Sequence, residues 1–254
     1  MITYDFTGKT VVVTGSARGI GRRIGERFYE AGANVAFCSK SPKGKDDLIQ
    51  EVAGSDHSRI MAQSVDVTQS EDVERFFQEV VDTFGGIDIL VNNAGILSIG
   101  DLDAVTEEEW YRVMDTNVKS LILTCQWFAR HHRHHNTSGN IVNIASVSSV
   151  TYLPHNLLYN ISKASVVTLT KTLARDLGPH NIRVNAVGPG SIPTDLNAEL
   201  YADKQKEIDL CNKIPLGRRG TKDDIANAVL FLSSEESAYL TGQVIYAEGG
   251  WLLV

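Results

Sequence analysis

Lys9-Thr10-Val11-Val12-Val13-Thr14-Gly15-Ser16-Ala17-Arg18-Gly19-Ile20-Gly21 is the stretch on which the reading of this chain turns. A β-branched apolar run ends in a glycine-rich turn, after which Ile20, Ile24 and Phe28 recur at every fourth position. The first pattern is that of a buried strand and the second that of one helix face. Glycine suits the junction, because the backbone bends tightly there and can approach a pyrophosphate with no Cβ in the way. The helix N-terminus adds N–H groups and a partial positive charge. The spacing is GxxxGxG rather than the GxGxxG of the standard dinucleotide fingerprint, so the turn alone is a weak signal that is also compatible with simple packing.

Outward from this turn the alternation continues. Apolar runs at Asn34–Cys38, Ile60–Val65, Asp88–Val91, Ile141–Ile144, Ile182–Asn185 and Gln243–Tyr246 read as six further strands. Helical spacing covers Val73–Val80, Val113–Phe128 and Ser162–Leu177. Strands apolar on both faces and separated by helices predict an α/β fold: a doubly wound, seven-stranded parallel sheet with helices on both faces, as one Rossmann-type domain over residues 1–254. The longest break, Ser191 to Pro215, carries its own helical turns and is expected to be a substrate-binding insertion.

Composition narrows the function. With 43% apolar and 22% charged residues, the chain is of ordinary globular make-up. A net charge of -7 argues against a nucleic-acid surface, which needs clustered cations. Cys38, Cys125 and Cys211 are widely spaced, with no CxxC pair, so neither a disulfide framework nor a metal site is expected. The start Met1-Ile2-Thr3-Tyr4-Asp5-Phe6 lacks the basic and apolar regions of a signal peptide, and no apolar run approaches the ~20 residues that span a bilayer. The expected address is the cytoplasm.

Two features point to chemistry. At the end of the second strand, Cys38-Ser39-Lys40 offers no carboxylate where an NAD-binding fold places one to grip the ribose hydroxyls. Ser39, Lys40 and Arg18 of the glycine turn would instead welcome an adenosine 2′-phosphate, which predicts NADP(H). The alternative is that both cations are ordinary solvated charges and that NAD(H) is also accepted. Further on, Tyr159-Asn160-Ile161-Ser162-Lys163 puts a phenol and an ammonium on one helix face. An ammonium at ~4 Å, with an effective dielectric of ~20, favours the phenolate by ~4 kcal/mol, which is roughly three pKa units. The spacing therefore predicts a phenol close to working pH, able to serve as acid for carbonyl reduction and as base for the reverse.

Taken together, Thr14 to Gly21, Asn92-Asn93-Ala94-Gly95, Asn117, Ser146, Tyr159 with Lys163, and Pro189-Gly190 resemble the motif set of the short-chain dehydrogenase/reductase family, in family order from about Phe6 to Gly250. The resemblance implies a hydride exchange between a nicotinamide and a carbonyl or alcohol carbon. Tyr159 would be the acid/base, and Ser146, thirteen residues earlier, would hold the substrate oxygen. Lys163 would also bind the nicotinamide ribose, and Asn117 would hold a water leading from Lys163 to solvent. Gly15, Ser16, Gly19, Ile20 and Gly21 would meet the pyrophosphate end, Asp66 and Val67 the adenine, and Asn93, Ala94 and Gly95 the cofactor wall. Pro189, Gly190, Ile192 and Thr194 would fix the carboxamide. A homotetramer, small-molecule substrates and no nucleic-acid or membrane partner are implied as well.

Within the family the chain most resembles 3-oxoacyl-[acyl-carrier-protein] reductases, through Ile214-Pro215-Leu216-Gly217-Arg218 and the ending Gly249 to Val254, although Glu248 stands where Asp is commoner. Thr137 and His180 occupy the positions where those reductases carry carrier-docking arginines, with Arg133 as the only compensating cation. A sugar or polyol dehydrogenase similar to glucose 1-dehydrogenases is the alternative. A non-catalytic nucleotide sensor on the same fold is disfavoured, since Asn117, Ser146, Tyr159 and Lys163 are all present. The substrate pocket is expected among Gly95–Ser98, Val147–Asn156 and Ser191–Pro215, moderately apolar through Leu97, Val147, Leu153 and Leu196. His131-His132-Arg133-His134-His135 reads as a solvated tail after the long helix, and His155 as exposed.

Overall fold

The computed structural model describes residues 4–41, 45–195 and 203–253. Thr10–Thr14 forms β1, fully buried, and Gly19–Glu30 forms α1. Next come β2 (Asn34–Ser39), α2 (Lys45–Ala53), β3 (Ile60–Ser64), α3 (Ser70–Phe84) and β4 (Ile89–Asn92). The second half holds α4 (Glu107–Met114), α5 (Ser120–His135), β5 (Gly139–Ile144), α6 (Leu157–Leu177), β6 (Ile182–Pro189), α7 (Lys204–Asn212), α8 (Lys222–Ser233) and β7 (Val244–Ala247).

All seven strands join one parallel sheet in the order β3-β2-β1-β4-β5-β6-β7, as the alternation predicts. Val12 pairs with Ala36 on one side and Leu90 on the other, so β1 is central and the strand order jumps between β1 and β4. At such a jump the connections leave in opposite directions and open a crevice at the carboxyl ends of the strands. One apolar cluster fills the face under α1, α2 and α8, with Ile24, Phe28, Phe37 and Leu230 fully buried. A second, with Phe76, Phe77, Leu90 and Phe128, fills the face under α3, α5 and α6. Each such side chain contributes ~1.5–3 kcal/mol by leaving water.

Several boundaries differ from the expected ones. The long helix does not start at Val113. Thr106 caps it by accepting the Glu109 N–H (3.1 Å), three acids fill its first turn, and it continues through a π turn at Asp115–Lys119 into α5. Nor does it stop at Phe128: it runs to His135 and ends where Asn136 adopts a left-handed conformation (φ 53°). Helix α6 starts at Leu157 rather than Ser162, which places Tyr159 in its first turn. The sequence reading had no helix at α8, although Thr221 and Asp224 close a capping box there.

Candidate active site

The β1–α1 turn is locked onto the end of β4. Thr14 Oγ1 accepts the N–H groups of Asn93 and Ala94 (3.1 Å each), while Asn93 Nδ2 donates to the carbonyls of Thr14 (3.0 Å) and Gly15 (2.9 Å). Gly15 has φ +63°, and a Cβ on it would stand 2.6 Å from Ala94 Cα, so only glycine fits. A Cβ on Gly21 would collide with Asn93 Nδ2. Gly19 has φ +66°, and a Cβ there would find only the Thr194 methyl, at 3.8 Å. Ser16 is fully buried, its hydroxyl donating to the Val13 carbonyl (2.7 Å) and accepting the Cys38 N–H (3.0 Å). That side chain ties β1 to β2 and does not face the cleft. Arg18, at the N-cap of α1, makes no capping hydrogen bond, and no acid lies in the first turn.

At the end of β2 and β3 the expected cations meet acids. Lys40 Nζ lies 2.7 Å from Asp66 Oδ2, and Arg18 pairs with Asp195 at 3.1 Å, the lysine and arginine side chains being 80% and 73% exposed. Burial pulls the Asp66 carboxyl upward, but the Lys40 ammonium and two hydrogen bonds from Thr68 outweigh it and hold it below its usual range. Ser39 Oγ donates to the Ser41 carbonyl, and Val67 is buried beside this corner.

The chemical centre lies at the end of β5. Ser146 stands close enough to the Tyr159 phenol to draw its pKa down, and both line the same cleft. Lys163, 5% exposed, donates to the Ile144 carbonyl at 2.8 Å. This geometry overturns the expected electrostatics. The amine points at a main-chain oxygen and lies 5.7 Å from the Tyr159 ring centre. Burial pushes the phenol above its ordinary value, and the Ser146 hydrogen bond only partly offsets it. Burial also pushes the Lys163 amine down to about 8. Asn117, fully buried in the π turn, clamps Ile96 by accepting its N–H (2.8 Å) and donating to its carbonyl (2.9 Å). Its Nδ2 also donates to Ser162 Oγ (3.0 Å), which donates to the Tyr159 carbonyl (2.8 Å). A π turn inserts one residue into a helix and so turns a side chain inward that would otherwise face elsewhere. The Asn117 amide therefore joins the Ile96 segment to the first turn of α6.

Ser146, Tyr159 and Lys163 open into one cleft of about 120 Å³ with Ile20, Asn93, Gly95, Pro189, Gly190, Ile192 and Thr194. This cleft sits at the carboxyl ends of β1, β4, β5 and β6, at the jump in strand order. The sequence profile of a family described as enoyl-(acyl carrier protein) reductase matches residues 15–252. A 3β-hydroxysteroid dehydrogenase 1 from Eggerthella lenta is 37% identical over 252 residues, covering 98% of this chain and 95% of the relative. A 3-oxoacyl-[acyl-carrier-protein] reductase from Staphylococcus aureus is 39% identical over 242 residues, covering 95% and 97%. A solved structure from Agrobacterium tumefaciens with bound NADP, provisionally assigned as a 2-deoxy-D-gluconate 3-dehydrogenase, matches with a TM-score of 0.89, 34% identity and full coverage of both chains. The chain belongs to the short-chain dehydrogenase/reductase family.

It is therefore an oxidoreductase of that family, and the remaining residues can be placed in this short-chain dehydrogenase/reductase. Asn92 braces strands, donating to Asn143 Oδ1 (3.0 Å) and accepting from Thr124 (2.7 Å). His155 is exposed and pairs with Asp101 at 2.7 Å. The histidine run is a solvated helix end at Arg133, His134 and His135, but not at His132, which is 4% exposed, its ring bonded to Thr137 Oγ1, and pushed by burial down to about 4. Among the described residues no side-chain cluster could hold a metal ion, and no helix is long and apolar enough to cross a membrane. Leu196 lies outside the described residues. Ser162 and the Ile144 carbonyl were missed as site residues; Ser162 could have been found from its place beside Lys163 in the tyrosine–lysine motif. A larger depression, about 1080 Å³, lies at the opposite pole, at the amino ends of the strands, and holds none of these groups.

Proposed function

We propose that this enzyme moves a hydride between NADP(H) and the carbonyl or secondary-alcohol carbon of a small molecule, with Tyr159 as general acid and base. The observation that carries the reading is that Tyr159, Ser146 and a buried Lys163 converge on one cleft beside the glycine turn. The residues fit a dinucleotide. The first turn of α1 has neither a capping side chain nor an acid, which leaves its N–H groups for a pyrophosphate, and the space over Gly19 is open. Bound there, NADP(H) supplies or accepts the hydride. Ser146 orients the substrate oxygen and steadies the charge that develops on it. A phenol held protonated by burial is a proton donor at neutral pH, so the resting state is set for carbonyl reduction. In the reverse direction Tyr159 must ionise, which the Lys163 ammonium favours once it turns from the Ile144 carbonyl toward the phenol. Lys163 also faces the cleft to hold ribose hydroxyls, while Asn117 and Ser162 fix the first turn of α6.

NADP(H) over NAD(H) rests on Lys40 and Arg18. Their present partnerships are exposed ion pairs, worth about 0–1 kcal/mol each, which a dianionic 2′-phosphate between them outcompetes. The relatives carry names for steroid, acyl-thioester and sugar-acid substrates, so they do not decide among these. Thr137, bonded to His132, and the exposed His180 speak against a carrier-protein dock. We also take residues 1–254 as one domain, place it in a reducing cytoplasmic setting where Cys38 and Cys125 stay as buried thiols, and assemble it as a homotetramer.

In the deciding experiment, Tyr159→Phe binds NADPH normally while ketone reduction falls by about 10²–10⁴; retained turnover removes Tyr159 from the mechanism. In the cofactor arm, Lys40→Asp shifts the NADPH/NADH ratio of kcat/KM toward NADH, and an unchanged ratio removes the 2′-phosphate assignment.

A further inference from the structure

A second groove, of about 770 Å³, lies between the segment after β5 and helix α7. One wall is apolar: Val150, Tyr152 and Leu153, continued by Trp251 of the C-terminal turn. This wall is tied to the helix that bears Tyr159, because the neighbouring Asn160 donates to the Leu153 carbonyl at 3.0 Å. The facing wall is different. Lys206, Asp209, Leu210 and Lys213 follow i, i+3, i+4, i+7 along α7 and its cap, so they share one face, and all four line the groove. Asp209 is turned along the helix to accept from Gln205 (2.9 Å), while no carboxylate pairs with either lysine among the described residues. The groove thus offers an apolar bed and two ammonium groups about 10 Å apart along the helix, with the single Asp209 carboxylate between them.

A neutral sugar or polyol would waste both properties, setting hydroxyls against Val150, Tyr152 and Trp251 and leaving the lysines unused. We propose that the groove holds the far end of the substrate, and that this substrate is an apolar ketone or secondary alcohol whose distal end carries an anion, a carboxylate or a phosphate ester. The proposal rests on the preceding reading of Tyr159 for the reacting end only. The oxygen to be protonated sits at Ser146 and Tyr159, the apolar body lies along Leu153 and Trp251, and the anion is drawn to Lys206 or Lys213. Asp209 between them keeps it from settling midway.

The test measures dissociation constants by tryptophan fluorescence, with Trp251→Phe assigning the signal. The probes are 3-oxo-5β-cholan-24-oic acid, its methyl ester, and the corresponding 24-yl phosphate. The wild type is expected to bind the acid or the phosphate roughly fivefold tighter than the ester, and the double variant Lys206→Gln/Lys213→Gln to bind all three alike. The tighter of the two anions identifies the source, and the single variants identify the lysine. Equal affinity for acid, phosphate and ester in the wild type, a preference that survives the double variant, or no binding of any probe overturns the proposal. Tyr159→Phe acts on the reacting end that all three probes share and so leaves the acid-to-ester affinity ratio unchanged; a failure of that ratio is therefore separate from a failure of the acid/base assignment, which turnover alone reads.

Discussion

Lys163 shows how far one residue can be pushed from its ordinary chemistry by its surroundings. Its amine ordinarily titrates at 10.5, and burial moves it to about 8. The unfolded chain therefore holds this proton more tightly, and the sign follows: below about 8 the folded state carries the full penalty of a buried ammonium, and stability rises with pH from about 8 to 10.5. The penalty is ~3 kcal/mol at neutral pH, from which the hydrogen bond to Ile144 recovers ~1 kcal/mol. Lys163→Met is expected to be about 2 kcal/mol more stable than the wild type at pH 7 and inactive, with the advantage fading by pH 10.5, as denaturant titrations at several pH values would read. A variant that is no more stable at pH 7 than at pH 10.5, relative to the wild type, rejects the penalty. The pairing of Tyr159 with Lys163 was legible from their spacing, but its energetics were not. The partner the amine selects, the Ile144 carbonyl, lies nineteen residues away and has no side-chain signature.

At the scale of elements, the glycine turn was readable because each glycine answers a local demand. Gly15 and Gly19 have positive φ, and Gly21 lies under Asn93. Gly21→Ala must displace the Asn93 amide that holds the carbonyls of Thr14 and Gly15, and so unseat the turn from β4. Loss of at least 2 kcal/mol of stability, with weakened nucleotide binding, is the expected outcome in thermal melts and cofactor titrations. Wild-type stability would mean that the clamp is dispensable. The long helix was harder to read. Its π turn at Asp115–Lys119 shifts the apolar phase by one residue, so the pattern before it does not join the pattern after it. At the other end the apolar stripe fades into histidines while the backbone continues to Asn136. Asparagine tolerates the left-handed conformation that ends a helix, and it was the one local stop signal there. Helix α8 has a comparable start signal in Thr221 and Asp224, which close a capping box ahead of its buried face.

At the scale of the whole molecule, the sheet was legible because every strand alternates with a covering helix, and seven buried or half-buried runs leave little choice of layer. The order of the strands was not in the runs themselves; it follows from how parallel crossovers pack. Assembly beyond the single chain depends on surfaces that a monomer leaves unfinished. Ile122 on α5 and Ile161 on α6 are each 38% exposed, and Trp110 on α4 is 40% exposed. Burying such side chains between copies is the expected use of these helices. Light scattering at micromolar concentration should return four times the chain mass, and a monomer would remove the tetramer.

The jump in strand order has a consequence in time as well as in space. The glycine turn and its Asn93 lock belong to the early part of the chain, whereas Ser146, Tyr159, Lys163 and the Pro189–Gly190 corner are synthesised later. On the proposed reading, a growing polypeptide that has finished the half with the glycine turn therefore carries no reacting groups. The cleft is complete only when β5 and β6 dock beside β4, so on that reading a half-made copy on the ribosome cannot consume reductant.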